Sequence, residues 1–123
     1  MAKVLIIDDH ASFRQVLKEM LVYDNPSFQI VEARDGKEAR EKVRTHPPHL
    51  ILMDVSLPDD NGLHLTKEIK AHHPRIIIFV LTNHDLPEFE EAAYQMGADK
   101  FFSKKVSSLE ISAAIKKVLK GVG

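Results

Sequence analysis

The sequence predicts an α/β fold in which five parallel strands alternate with five helices. Three observations carry that expectation. Short runs rich in Ile, Val, Leu and Phe recur along the chain and have the composition of strands buried on both faces. The stretches between them place apolar residues at helical rather than alternating spacing. Proline, glycine and capping patterns fall at the boundaries between the two.

The elements follow in order. Val4 to Ile7 reads as the first strand. Phe13, Val16, Leu17, Met20 and Leu21 then follow the i, i+3, i+4, i+7, i+8 spacing, which predicts a helix with one apolar face. Pro26 ends that unit, and Phe28 to Val31 forms the second strand. Asp35-x-x-Glu38 is a capping box, in which the Asp and Glu side chains satisfy orphan N–H groups at the start of a helix bearing Ala39 and Val43. Pro47-Pro48 leads into the third strand, Leu50 to Met53. Pro58 precedes a helix marked by Leu65 and Ile69, and Pro74 introduces the fourth strand, Ile76 to Leu81. Asp85-x-x-Glu88 opens the helix carrying Phe89, Ala92, Ala93 and Met96. Gly97 closes it, Phe101-Phe102 marks the fifth strand, and Ser107-x-x-Glu110 opens a last helix with Ile111, Ile115, Val118 and Leu119.

Parallel strands need crossovers, and those crossovers are right-handed, so strict alternation places helices on both faces of one sheet. Five such units favour the doubly wound order 2-1-3-4-5. That order leaves a crevice at the carboxyl ends of strands 1 and 3, where ligands bind. At 123 residues, the chain reads as a single domain over residues 1–123.

Composition narrows the function. Seventeen basic and eighteen acidic residues give a net charge of −1, which supplies no overall drive toward nucleic acid or an anionic membrane. Residues 100–123 hold six lysines against Glu110 alone; a solvated helix face accounts for Lys116, Lys117 and Lys120. The absence of cysteine excludes disulfides, Cys-zinc sites and thiol nucleophiles. The first apolar run meets Asp8-Asp9 at once, too soon for a signal segment or a membrane span, so a cytoplasmic protein is expected. His46 with His49, and His72-His73, border prolines in turns and lack the i, i+4 spacing of a helical metal site. They read as surface turn residues, and His10 as a neighbour of the acidic pair.

Each strand is followed directly by polar groups: Asp8-Asp9 after the first, Asp54 after the third, Thr82 after the fourth and Lys104 after the fifth. In the expected order these converge at one sheet edge, with Asp54 central. Clustered carboxylates repel one another unless cations neutralise them. Lys104 supplies one charge, and a hard divalent ion suits the oxygen donors, Mg²⁺ first and Mn²⁺ as the alternative. Such an ion commonly bridges carboxylate and phosphate, so a phosphoryl group is the natural ligand, and an aspartate beside the metal can be its nucleophile.

With these residues in place, the chain resembles the receiver domains of bacterial two-component response regulators over essentially its whole length. The matching pieces are Val4-Leu5-Ile6-Ile7-Asp8-Asp9; Leu50-Ile51-Leu52-Met53-Asp54 with Pro58 and Gly62; Val80-Leu81-Thr82; and Gly97-Ala98-Asp99 leading to Phe101 and Lys104. The resemblance implies a flavodoxin-like receiver fold. It implies Asp54 as phosphoacceptor, and Mg²⁺ held by Asp8, Asp9, Asp54 and the Ser56 backbone carbonyl. Thr82 and Lys104 would bind the phosphoryl group, Thr82 and Phe101 would switch, and Ser56, Asn83 and His84 would tune phosphoryl lifetime. The implied partners are a sensor histidine kinase or phosphotransfer protein, and an output domain or target contacted through the helix 4, strand 5, helix 5 face. A homodimer formed on phosphorylation is also implied. The domain would catalyse its own phosphorylation and dephosphorylation, a switch more than a turnover enzyme, with no direct contact to nucleic acid.

Several features depart from or qualify the pattern. Lys105 stands where many receivers place a proline after a cis bond, so a trans bond is expected. Asn83 is bulkier than the usual small residue, and Phe101 replaces the tyrosine of some relatives. A haloacid-dehalogenase-like phosphatase would carry an acidic residue where Ser56 lies. An FMN module would need a phosphate loop after strand 1, and Asp8-Asp9 would repel its phosphate. The opening Asp8-Asp9-His10 and the region after Lys104 resemble receivers that precede LuxR-type DNA-binding domains. The output therefore stands open between a free-standing regulator and a receiver belonging to a longer transcription factor. A receiver-like interaction module acting without phosphorylation is the remaining alternative.

Overall fold

The structure is a computed structural model and describes residues 2–83 and 87–120. Five strands, β1 (Lys3–Ile7), β2 (Gln29–Ala33), β3 (Leu50–Asp54), β4 (Ile77–Thr82) and β5 (Lys100–Ser103), alternate with α1 (Ala11–Asp24), α2 (Gly36–Thr45), α3 (Gly62–His72), α4 (Pro87–Gln95) and α5 (Ser108–Val118). All strand pairs are parallel, and the sheet order is β2-β1-β3-β4-β5, as the alternation predicts.

Because successive strand residues point to opposite faces, the sheet separates two apolar layers. Leu5, Ile7, Ile51, Met53, Ile78 and Val80 pack with Ala39, Val43, Leu65, Ile69 and Ala93, which belong to α2, α3 and α4. Val4, Ile6, Leu50, Leu52, Phe79 and Leu81 pack with Leu17 and Leu21 of α1, Ile111 and Ile115 of α5, and Leu119 just beyond it. Every residue of β3 is buried, which explains the unbroken apolar run that identified it. Among the described residues, no helix is long and apolar enough to cross a membrane.

Helix starts show how local sequence sets the boundaries. Asp35 caps α2 by accepting from the Glu38 N–H at 2.8 Å. Glu38 reaches back not to Asp35 but one residue further, accepting from the Arg34 N–H at 3.1 Å. Ser107 Oγ accepts from the Leu109 N–H, so α5 uses the Ser half of the expected box. The Asp85-x-x-Glu88 pattern begins outside the described residues. Gly97, after α4, has φ +103°, a conformation that favours glycine and turns the chain sharply into β5.

One sequence expectation needs correction. The apolar stripe of α1 is narrower than its spacing suggests: Leu17 and Leu21 are buried, but Val16 is 55% exposed. The α1 and α5 pair covers the strands with Leu17 and Leu21, and Val16 falls to the rim. No cis peptide occurs among the described residues, so the Lys104–Lys105 bond is trans as expected.

Candidate functional site

The carboxyl ends of β1, β3, β4 and β5 meet at one edge of the sheet. In-register pairing aligns Ile7 with Met53, Asp54 with Leu81, and Thr82 with Ser103. The residues following these positions are therefore neighbours in space although they span about a hundred positions of sequence. Asp8 continues β1 and donates its N–H to the Ala33 carbonyl at 3.0 Å. Lys104 continues β5 and donates its N–H to the Thr82 carbonyl at 2.8 Å.

Asp8, Asp54, Thr82 and Lys104 are almost fully buried at their side chains or as whole residues. Lys104 Nζ lies 2.6 Å from Asp8 Oδ2 and 3.3 Å from Asp54 Oδ1. It also stands over the Phe13 ring, 4.6 Å from its centre, an attraction that strengthens where water is excluded. One ammonium thus serves two buried carboxylates. Asp8 Oδ2 has no aligned hydrogen bond, and Asp54 Oδ2 is buried without any hydrogen-bond partner among the described residues.

That orphaned oxygen has an electrostatic cost. Burial above all, then the charge of Asp8, pushes the Asp54 carboxyl up to about 6, while Lys104 and the Ser56 N–H pull it the other way. The charge deficit is what a bound cation would repair. Asp8, Asp9, His10 and Asp54 each offer a donor atom, and these atoms lie within 4.8 Å of one another. The residues present fit a divalent ion: carboxylate oxygens on a shared opening, with one buried oxygen unserved.

The loop after Asp54 is tightly tied. Ser56 bridges Asn61, Gly62 donates its N–H to the Val55 carbonyl at 2.7 Å, and Asn61 caps α3 through the Leu63 N–H. Asp59 reaches across to the start of α2, accepting from the N–H groups of Gly36 at 2.7 Å and Lys37 at 3.0 Å. Arg40 holds Asp60 and Glu68, and its guanidinium keeps both carboxyls below their usual range.

A second clasp secures the first aspartates. Arg14 donates from Nη1 to the Asp8 carbonyl at 2.5 Å and from Nε to Glu32 Oε1 at 3.2 Å. Sequence reading missed Phe13, Arg14, Arg40 and Asp59. Phe13 was visible only as a core residue, and the others depend on pairings across elements.

Other sequence-singled residues fall as follows. Thr82 is buried at the end of β4. Phe101 is half-buried, pairs with Val80 in register and packs on the α2–α4 layer. Ser56 and Asn83 are exposed, and His84 lies outside the described residues. His46, His49 and His72 are exposed and His73 is half-buried, with His49 Nδ1 accepting from the Lys3 N–H at the opposite edge. Lys116, Lys117 and Lys120 are exposed, as expected of a solvated face.

Comparison with known proteins gives a consistent result. A family model described as the response regulator receiver domain matches residues 4–116. The chain is 32% identical over 120 residues to the transcriptional regulatory protein DegU of Brevibacillus brevis, covering 97% of this chain and 50% of that protein. It is 37% identical to a protein-glutamate methylesterase/protein-glutamine glutaminase of Methanococcus maripaludis, covering 98% of this chain and 34% of that one. Among solved structures, a LuxR-family two-component response regulator from Aurantimonas sp. SI85-9A1 superposes with a TM-score of 0.87 at 29% identity, covering 98% of this chain and 86% of that one. The chain spans half or less of the length of these two curated relatives.

Proposed function

The chain belongs to the response regulator receiver domain family, and on that premise we propose that Asp54 accepts a phosphoryl group and that its phosphorylation controls an output. The carrying observation is the arrangement around Asp54: a buried carboxylate with one oxygen on Lys104 and the other unpartnered, facing the Asp8-Asp9 pair.

In this reading an Asp54 carboxylate oxygen attacks phosphorus, the bond from phosphorus to the donor breaks, and the donor leaves with the electron pair. The donor is a phosphohistidine of a sensor kinase or phosphotransfer protein, or a small acyl phosphate. Asp54 needs no general base, because an ionised carboxylate is already nucleophilic. Lys104 keeps the attacking carboxylate oriented and pairs with a phosphoryl oxygen. Thr82, at the neighbouring strand end, offers a hydroxyl to a second oxygen. Asp8, Asp9, Asp54 and the Ser56 carbonyl would hold Mg²⁺, whose charge lowers the repulsion between carboxylates and an incoming phosphoryl group.

The same residues suggest how the switch propagates. Thr82 ends β4 and Phe101 lies on β5 beside Val80. A hydroxyl drawn toward the phosphoryl group would free space beside β4 that Phe101 can fill by packing alone, since it lacks a hydroxyl. That movement would alter the α4, β5, α5 face, which we assign to contacts with an output domain or target protein and to a phosphorylation-dependent homodimer. Exposed Ser56 and Asn83, with His84, would set access to the phosphoryl group and hence its lifetime. We read residues 1–123 as one receiver domain acting in the cytoplasm, self-catalysing phosphorylation and dephosphorylation, with no nucleic-acid contact of its own.

The test is intact mass after acetyl phosphate treatment, with and without Mg²⁺, on the native chain and on Asp54→Asn. Addition of one phosphoryl group to the native chain alone, dependent on Mg²⁺, is expected. Failure to label together with failure to bind beryllofluoride would overturn the reading and favour a receiver fold that signals without phosphorylation.

A further inference from the structure

The loop between β3 and α3 is closed on itself. Gly62 donates its N–H to the Val55 carbonyl at 2.7 Å, Leu57 donates to the Asp60 carbonyl at 3.3 Å, and Ser56 bridges Asn61. A loop so tied moves as one body, and a shift at its tip is carried to its base instead of being absorbed within it. The base holds Ser56, whose N–H is directed at the Asp54 carboxylate.

The tip is held from α2. Asp59 accepts from the Gly36 and Lys37 N–H groups, two of the first-turn donors that a helix cannot serve from within. A carboxylate there also meets the favourable end of the helix dipole. The neighbouring Asp60 accepts from Arg40 of α2, and the same guanidinium reaches Glu68 of α3 at 2.8 Å. Gly36 lets the two segments approach: a Cβ there would stand 3.1 Å from Arg40 Nη1, 3.2 Å from Asp59 Oδ1 and 3.3 Å from Asp60 Cβ, closer than ordinary van der Waals contact. Gly36, Arg40, Asp59 and Asp60 thus form one joint between α2 and the loop. Capping does not account for it. Asp35 already caps α2 through the Glu38 N–H, and neither Asp60 nor Glu68 touches a free amide of α2. What Asp59 and Arg40 add is attachment of the loop to the helix.

We propose that Asp59, seated against Gly36 and backed by the Arg40–Asp60 pair, is a positioning residue: it holds the loop, and with it Ser56, in register with Asp54, so that α2 and the phosphorylation site are coupled. The proposal rests on the function assigned above to Asp54 and its cation. Coupling of this kind is reciprocal. Loosening the joint weakens binding at the site, and filling the site tightens the joint. A clasp that served only to stabilise α2 would do neither.

The experiment combines calorimetric titration of Mg²⁺ with residue-resolved amide exchange of the full chain, free and with Mg²⁺ and beryllofluoride. Asp59→Ala is expected to raise the Mg²⁺ dissociation constant about fivefold or more. Asp59→Asn keeps a side-chain oxygen able to accept, and should recover part of the loss. Ser112→Ala removes the hydrogen bond to Asp24 on the other face of the sheet; it should lower the urea midpoint and leave Mg²⁺ affinity unchanged. In the native chain, Mg²⁺ with beryllofluoride should slow exchange at Gly36 and Lys37 by a comparable factor, beyond any slowing in α5, and in Asp59→Ala this extra protection should vanish. Native Mg²⁺ affinity in Asp59→Ala overturns the coupling while leaving the function of Asp54 standing. So do Gly36 and Lys37 amides that gain no protection beyond that of α5 when the native site is filled. A native chain that binds neither Mg²⁺ nor beryllofluoride overturns both. The native-chain exchange decides the matter even if a variant folds poorly.

Discussion

The backbone of Gly62 lies so close to the carbonyl of Asp54 that a Cβ at residue 62 would come within 1.9 Å of the oxygen and 2.8 Å of its carbon. Main-chain atoms on both sides leave no flexible side chain to yield. Gly62→Ala should therefore force the loop after Asp54 outward, at a cost of about 1–3 kcal/mol or more. A lower urea midpoint with an unchanged m-value, together with slower labelling by acetyl phosphate, is the expected result; native stability would show that the loop relaxes freely.

Asp54 gives a pH dependence with a definite sign. Its folded-state carboxyl is pushed up to about 6, from an ordinary 3.8, so between those values the folded chain binds more protons than the unfolded one. Stability of the cation-free protein should then fall as pH rises through this window, by on the order of 3 kcal/mol from this group. Asp54→Asn should remove that slope and raise stability at pH 7.5. Urea titrations in EDTA at pH 4.5, 6 and 7.5 measure both; a flat native profile through the window would contradict the assignment.

Lys104→Met keeps the apolar stem against Phe13 but leaves Asp8 and Asp54 without their shared ammonium. Breaking such a buried pair costs about 3 kcal/mol. The loss should be largest above pH 6, where Asp54 is ionised, and smaller near pH 5. Denaturation at the two pH values tests this, and equal losses at both would show that the charge is not what Lys104 contributes.

Asp59 acts on α2 from more than twenty residues away. Asp59→Ala should expose the Gly36 and Lys37 amides, speeding their hydrogen exchange with little effect on amides of α5. Its carboxyl is held below the usual range, chiefly by the Gly36 N–H, so this support should persist at pH 5 and weaken only when the carboxylate is protonated. Unchanged exchange at Gly36 would refute the clasp.

The sheet was legible because each strand carries its own local signal: Leu50 to Met53 is an apolar run that only a doubly covered strand requires. The convergence of Asp8, Asp9, Asp54 and Lys104 followed from that sheet order, since each comes directly after a strand. What escaped the sequence depends on side chains choosing among partners. Glu38 passed over Asp35 for Arg34. Val16 fits the helical stripe yet lies at the rim, because periodicity gives direction around a helix and not the width of the surface that covers it. Asp59 reads as a loop residue until the start of α2 is seen beside it.

Lys104, directly after β5, closes the site against Asp8, which follows β1, and Asp54, which ends β3. A polypeptide still emerging during synthesis holds Asp8, Asp9 and Asp54 well before their counter-charge has been made. Such an intermediate holds these carboxylates without the ammonium that Asp8 and Asp54 share. On the function proposed above, competence to accept a phosphoryl group would thus arrive with β5, when Lys104 joins Asp8 and Asp54.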